Sequence, residues 1–149
     1  MKLTLARSID CTAERCRVQP LDAGDPIDAP LAPRMVEIGT RVRPGMIVAL
    51  DRHTTPPTIR YRFATHAVEA LTGDRLTILG REIRFVDVRP ATDRAIPIRV
   101  GDTVTHRFRP SGDEIEVYDT VVDGRPRHPE FLEAEFPHIE AIYQGTTSA

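Results

Sequence analysis

The most regular feature of this sequence is the alternation of apolar and polar residues, broken repeatedly by Gly, Pro and Asp. Alternation with period two is typical of a strand that buries one face, and turn residues at short intervals indicate the successive strands of a meander. We therefore predict an all-β protein. The opening strand KLTLA and the nearby segment RCRV follow this pattern and are predicted to pair.

The phase of the alternation changes within one segment, TIRYRFATHAVEAL, which is residues 58–71. Apolar side chains up to Phe63 occupy odd positions, whereas Val68 and Ala70 occupy even positions. A single regular strand would bury one set and expose the other. Because one inserted residue moves every later side chain to the opposite face, we predict a β-bulge at residues 64–67.

The strongest local prediction is a three-stranded meander in residues 68–87. A TGD turn at residues 72–74 and a two-residue hairpin turn at Gly80-Arg81 separate its strands. Small closed barrels have a similar rhythm of strands and glycine turns. We therefore predict a small closed or partly closed antiparallel β-barrel, OB-like or SH3-like, with a short C-terminal helix.

Proline marks the connections between these strands. Residues 19–34 hold four prolines and are predicted to be a long surface crossover, not a central strand or a helix. In residues 36–51 we predict a strand, a type II turn at Pro44-Gly45 and a buried strand. Pro129 suits the first position of a helix, and apolar residues follow it at helical intervals.

The length of the chain, 149 residues, fits a single domain. We expect N-terminal strands and a crossover in residues 1–51, a core β-meander in residues 52–122 and a helical segment in residues 127–143. No apolar run has the length of a membrane-spanning helix, and the N-terminus lacks the apolar core of a signal peptide. These features predict a soluble cytoplasmic protein without a membrane partner.

The only two cysteines, Cys11 and Cys16, flank the short connection TAER. Neighbouring strands can bring such a pair within disulfide range, although the cytoplasm keeps thiols reduced. The sequence leaves their pairing open. Because no second cysteine pair and no HxxxH motif accompanies them, we predict neither a metal site nor a cofactor.

The charge of the chain is unevenly distributed, and arginine supplies nearly all of the positive charge. Residues 41–109 carry thirteen basic and seven acidic side chains, whereas residues 110–149 carry two and nine. Alternation places the arginines of the basic part on the polar sides of predicted strands, so neighbouring strands would join them into one basic face. The candidate binding residues are these arginines and the histidine at the predicted bulge: Arg60, Arg62, His66, Arg84, Arg107 and Arg109.

The sequence lacks the common catalytic motifs. None of its three serines lies in G-x-S-x-G, and neither a P-loop nor a dinucleotide-binding glycine motif occurs. No two of its five histidines stand at metal-ligand spacing, and His106 shares the apolar face of its strand, which predicts a core residue. His66 and His53 are the candidates for an enzyme or a metal-binding protein, because bulges occur near active sites. We assign no catalytic or metal-binding residue.

These observations favour a non-enzymatic binding module whose arginine face engages an anionic ligand or an acidic protein segment. Single-stranded nucleic acid is a less favoured partner, because Tyr61 and Phe63 point away from the arginines of their strand and offer no stacking platform. An alternative is a homo-oligomer in which the acidic C-terminal helix of one copy caps the basic sheet of another. A small enzyme that uses His66 or His53 is the second alternative, ranked below binding and assembly.

Overall fold

The computed structural model describes residues 3–109, 112–134, 136 and 137. Strands account for 50% of the structure and helices for 13%, which confirms the all-β prediction. In chain order, the strands of the described residues are β1 (Leu3–Cys11), β2 (Arg15–Pro20), β3 (Ile27–Pro30), β4 (Ile47–Asp51), β5 (Thr58–Ala67), β6 (Ala70–Thr72), β7 (Arg75–Ile78), β8 (Arg81–Asp87), β9 (Thr103–Phe108), β10 (Glu114–Val122) and β11 (Arg125–Pro126). The helices there are α1 (Pro33–Glu37), α2 (Ala91–Arg94) and α3 (Pro129–Ala134).

Hydrogen bonds link the strands in the order β3-β2-β1-β4-β5-β9-β10-β8-β7-β6, with β11 beside β10. Within the described part of the chain this path does not close on itself, so the predicted barrel is not confirmed. The chain groups into two compact units, of which the first holds residues 3–63 with Phe136 and the second holds residues 64–134. β5 contributes residues 58–63 to the first unit and residues 64–67 to the second.

β4 is the centre of the first unit. It pairs with β1 on one side and with β5 on the other, and all five of its residues are buried. Val48 and Leu50 belong to an apolar cluster that also contains Ile59 of β5 and Met35 of α1. A strand that is buried at every position, and apolar at all but Asp51, is expected where both of its faces are covered.

The irregularity of β5 lies at Arg60. The register between β4 and β5 shifts between Ile59 and Tyr61, which leaves Arg60 as the extra residue. Residues 64–67 pair with β9 in unbroken register, so the bulge predicted there is wrong. The phase of the sequence changes instead because β5 ends at Ala67 and a separate strand, β6, follows.

Aromatic residues line the buried side of β5, as the alternation predicts. Tyr61 and Phe63 are both almost fully buried. The ring centroid of Phe136 lies 6.0 Å from that of Tyr61 and 6.2 Å from that of Phe63, a separation at which tilted rings attract each other. The predicted start of the C-terminal helix at Pro129 is confirmed, whereas residues 138–143 of that prediction lie outside the described residues.

The proline-rich segment predicted as a surface crossover contains two regular elements. Among the described strands, β3 pairs with β2 alone and stands at the end of the strand order, an edge position at which prolines such as Pro30 are tolerated. α1 begins at Pro33, whose fixed φ suits the first turn of a helix, and it buries Met35. Residues 38–43 follow as turn and loop, so the strand predicted there is absent, but Gly45 has the positive φ, 90°, of the predicted type II turn.

Cys11 and Cys16 form a disulfide between β1 and β2, where they stand directly opposite each other. Cys16 is buried in the apolar cluster of the first unit. The short connection between the two strands is what brings the cysteines face to face. A cytoplasmic location, predicted from the N-terminus, would expose this bond to reducing conditions.

The second unit is built around β10, which pairs with β9 on one side and with β8 on the other. Ile115 and Val117 of β10 are fully buried in an apolar cluster with Val104 of β9 and Ile83 of β8. The β8–β10 pair is parallel, which departs from the fully antiparallel sheet that the sequence predicted. Parallel pairing is possible here because a long connection that includes α2 and β9 separates the two strands.

The meander predicted for residues 68–87 is present as β6, β7 and β8. The turn between β7 and β8 is Leu79-Gly80, one residue earlier than predicted, because Ile78 pairs with Arg81. Both turn residues have positive φ, 52° and 72°, as a type I′ turn requires. Leucine is not a typical residue for this turn, so the sequence did not predict the conformation of Leu79, whose side chain is exposed.

We expect Ile115→Ala to lower the free energy of unfolding by about 2–5 kcal/mol, because it leaves a cavity beneath the central strand of the second unit. Urea unfolding followed by circular dichroism measures this change. Val122→Ala is the matched control, since Val122 lies on the same strand but is 47% exposed, and its effect should stay within about 0.5 kcal/mol. Equal effects of the two substitutions would contradict the assigned core.

Candidate functional site

Three of the predicted arginines lie on one face of the second unit. Arg84 of β8 stands opposite Glu114, and Arg107 of β9 stands opposite Glu116, both on β10. Arg109 follows the end of β9, and its N–H donates to the carbonyl of Glu114 at 2.9 Å, which continues the ladder. Opposite residues on paired strands share a face. The alternation of β10 thus puts carboxylates beside arginines on one face and the apolar core on the other.

These side chains form a series of alternating charges, which we call the arginine–carboxylate network. Glu116 accepts hydrogen bonds from Nη2 of Arg107 and from Nε of Arg109, each at 3.1 Å. Nη1 of Arg109 forms an ion pair with Glu114, which also lies 3.5 Å from Nε of Arg84. The network contains, in order, Arg107, Glu116, Arg109, Glu114, Arg84 and Asp74.

Tyr118 adds a neutral group at one end of the network. The register shift between Val117 and Asp119 makes it the extra residue of β10. Its hydroxyl accepts a hydrogen bond from Nε of Arg107 at 2.7 Å and donates one to Glu116 at 3.0 Å. Burial is the largest influence and raises the pKa of Tyr118, so the phenol stays protonated at neutral pH.

The charges of the network are fixed by their surroundings. Burial alone would raise the pKa of Glu116, but hydrogen bonds from Arg107 and Tyr118 outweigh it, and the net pKa lies below the ordinary value. Burial would lower the pKa of Arg107, but Tyr118 and Glu116 outweigh it, and the net pKa is raised. Both groups therefore remain ionised across the neutral range.

The arginine side chains of the network are more exposed than the side chains of its central carboxylates. The side chains of Arg84, Arg109 and Arg107 are 60%, 40% and 23% exposed, against 14% for Glu114 and 18% for Glu116. Among the described residues, Nη1 of Arg107 and Nη2 of Arg109 have no hydrogen-bond partner, and the guanidinium of Arg84 makes ion pairs only. The carboxylates orient the arginines and leave donors facing solvent.

Arg60 and Arg62, the other two predicted arginines, belong to the first unit. Nη1 of Arg60 lies 3.9 Å from the buried carboxylate of Asp51. Nη1 of Arg62 lies 4.0 Å from the sulfur of Met46, and its Nε is buried without a hydrogen-bond partner in the described part of the chain. The structure thus brings together three of the five arginines, and Arg60 and Arg62 are placed with their own strand.

His66 and His106 lie side by side on β5 and β9. Nδ1 of His66 is 2.8 Å from Nε2 of His106, a hydrogen bond in which one nitrogen donates and the other accepts. His106 is almost fully buried, as predicted for a core residue, and His66 is half-buried. His53 is exposed in a turn of the first unit, where its backbone N–H donates to Asp51.

The second unit contains a buried ionic cluster that no pattern in the sequence predicted. Asp93 of α2 is fully buried and lies 3.5 Å from Nη1 of Arg89, 3.3 Å from Nη1 of Arg127 and 3.6 Å from Nε2 of His128. Arg89 is also buried and makes a two-point contact with Asp87, at 2.9 and 2.7 Å. These residues lie in connections whose charges follow no period, so alternation could not have identified them.

Asp119 is buried within β10, whereas the sequence predicted a position near a strand end or edge. Its oxygens accept the backbone N–H groups of Thr120 at 2.8 Å and of His128 at 2.6 Å. Burial raises the pKa of Asp119, and these hydrogen bonds offset only part of that effect. The prediction failed because two backbone donors reduce the cost of an interior carboxylate. The same bonds attach the segment before α3 to β10.

No protein-family model matches this sequence, and no curated protein matches it either. Within residues 3–109, 112–134, 136 and 137, no group of three His, Cys, Asp or Glu residues is placed to hold a metal ion. The helices of that part of the chain are too short and too polar to cross a membrane. Fold and site together define a mostly-β protein with an ion-paired arginine face.

We expect Glu116→Gln to destabilise the protein at neutral pH by about 1–2 kcal/mol, because it removes the charged acceptor shared by Arg107, Arg109 and Tyr118. Since the folded pKa of Glu116 is lowered, its stabilisation is present above the unfolded pKa, about 4.3, and is lost as the pH falls through the folded value. Urea midpoints of parent and variant should therefore converge below about pH 4.

The exposed residue Glu82 supplies the control for this experiment. Its carboxylate lies 4.0 Å from Arg75 and is 65% exposed, so Glu82→Gln should change the urea midpoint little at any pH. A deficit of Glu116→Gln that stays constant from neutral to acid pH would contradict the role given to its charge.

We expect Asp93→Ala to destabilise the protein by about 3–5 kcal/mol, because it leaves the buried guanidinium of Arg89 with one carboxylate in place of two. Thermal unfolding measures this loss. Glu130→Ala is the control, since Glu130 is an exposed partner of His128 in the same unit and its removal should leave the melting temperature unchanged. A melting temperature of Asp93→Ala equal to that of the parent would show that the cluster contributes no stability.

Proposed function

We propose that this protein is a non-enzymatic binding module that engages an acidic protein segment through Arg84, Arg107 and Arg109. The observation that carries the proposal is the exposure of these arginine side chains, which is greater than that of the carboxylate side chains paired with them in β10. Arginine suits planar, two-point recognition of carboxylates. Because Glu114 and Glu116 already orient the arginines, a partner would bind without the full entropic cost of ordering long side chains.

The carboxylates of the network also influence which anion fits. Asp74, Glu114 and Glu116 balance the three arginines in number, so the face is not a uniform basic field. Nucleic acids depend on net positive charge for their affinity, through the release of counterions. A protein segment with a few acidic side chains needs only matched donors. The proposal requires only that this face of the sheet is exposed. It would hold equally if the sheet formed a closed or partly closed barrel.

The two alternative functions have less support. For a homo-oligomer assembled through the C-terminal segment, the relevant observation is that Phe136 contacts Tyr61 and Phe63 of its own chain. For an enzyme, His53 is exposed in a turn, and His66 is hydrogen-bonded to the core residue His106. A binding role through the arginine–carboxylate network therefore remains the preferred function.

Titration of a labelled glutamate-rich peptide, followed by fluorescence anisotropy, tests this proposal. We expect saturable binding at low ionic strength that weakens as salt is added, because exposed charges are screened. The double variant Arg84→Gln/Arg109→Gln should weaken binding about tenfold or more, since each lost charge-assisted hydrogen bond contributes about 1.5–3 kcal/mol.

Arg17 offers a matched control for the double variant. It is an exposed arginine of the first unit, 54% exposed and 3.9 Å from Asp28, so it resembles Arg84 in exposure and pairing. Arg17→Gln should bind the peptide as the parent does. The proposal would be overturned if the parent does not bind, or if the control loses as much affinity as the double variant.

A further inference from the structure

We infer that the partner segment is an extended peptide in which two acidic residues are separated by one other residue. This inference rests on the proposed function and adds the spacing of the ligand. Arg107 and Arg109 are two residues apart in a chain that stays extended, because the N–H of Arg109 still donates to the carbonyl of Glu114. Two residues of an extended chain span about 6.6 Å, and their side chains share a face.

The unused donors of the two arginines fit one carboxylate each. Nη1 of Arg107 and Nη2 of Arg109 have no hydrogen-bond partner among the described residues. The other guanidinium nitrogens of these two arginines contact Glu114, Glu116 or Tyr118. The Cα atoms of Arg107 and Arg109 are about 6.6 Å apart in this extended chain, so a peptide that presents one carboxylate to each arginine should follow the same repeat. An extended peptide provides this separation between residues i and i+2.

Other arrangements of acidic residues fit this pair less well. In an extended peptide, acidic residues three positions apart point to opposite sides, so only one of them can face the sheet. In a helix, residues three positions apart would share a face. A short peptide does not form a helix in water, however, because helix nucleation is unfavourable.

A single mono-anionic carboxylate per arginine also suits the charges around the donors. Glu114 and Glu116 lie next to the guanidinium groups and would repel a dianionic phosphoryl group more strongly than a carboxylate. The third arginine, Arg84, lies two strand spacings from β9, about 9.6 Å, and so to one side of a peptide that follows β9.

Two nine-residue peptides of identical composition test the spacing. Both carry three glutamates and the same neutral residues, but one places the glutamates at positions 3, 5 and 7 and the other at positions 2, 5 and 8. Fluorescence anisotropy at low ionic strength should give about tenfold tighter binding of the alternating peptide to the full chain. Arg109→Gln should reduce this preference to about onefold, because only Arg107 of the pair then remains to receive a carboxylate.

Arg109→Lys is the second variant, because it keeps the charge but loses the planar fork. It should retain salt-sensitive binding and lose the preference for the alternating peptide. Equal affinity of the parent for the two peptides would overturn the inferred spacing and leave the proposed function standing. Failure of the parent to bind either peptide would overturn both. Circular dichroism of each variant checks that the fold is retained.

Discussion

The hydrogen bonds that Glu116 accepts from Arg107, Arg109 and Tyr118 fix the polar face of the second unit in one arrangement. They form because alternation over residues 114–117 of β10 directs carboxylates to one side and Ile115 to the apolar core on the other. Packing and polar organisation therefore depend on the same strand. A shift of this strand by one residue would bury the carboxylates and expose Ile115, so that both the apolar packing and the arginine–carboxylate network would be lost.

Buried charge plays a second and separate part in the fold. Asp93 contacts Arg89, which precedes α2, and Arg127, which follows β11. Asp119 accepts the backbone N–H of His128, in the segment that leads into α3. Neither carboxylate faces solvent, so each depends on complete pairing. The irregular connections of the second unit are thus ordered by ion pairs and hydrogen bonds, not by apolar packing alone.

Alternation predicted much of the strand content, the buried side of β5 and the core position of His106, because burial on one face of a strand follows period two. Turn positions were less secure: the hairpin turn at Leu79 carries no glycine signal at its first residue. The short helix α1 and the edge strand β3 were not predicted, because a proline-rich segment indicates a connection without regular structure. Proline disfavours a helix or a strand only in its interior, however. The role of Asp93 could not be predicted, since its partners are distant in sequence.

The distribution of tyrosine has a practical consequence for spectroscopy. The chain has no tryptophan, and two of its three tyrosines, Tyr61 and Tyr118, are buried in different units. Tyr61 sits among aromatic rings, whereas the hydroxyl of Tyr118 is bonded to charged groups. Each phenol is therefore an intrinsic optical probe of its own half of the chain, and no dye needs to be attached to follow either half.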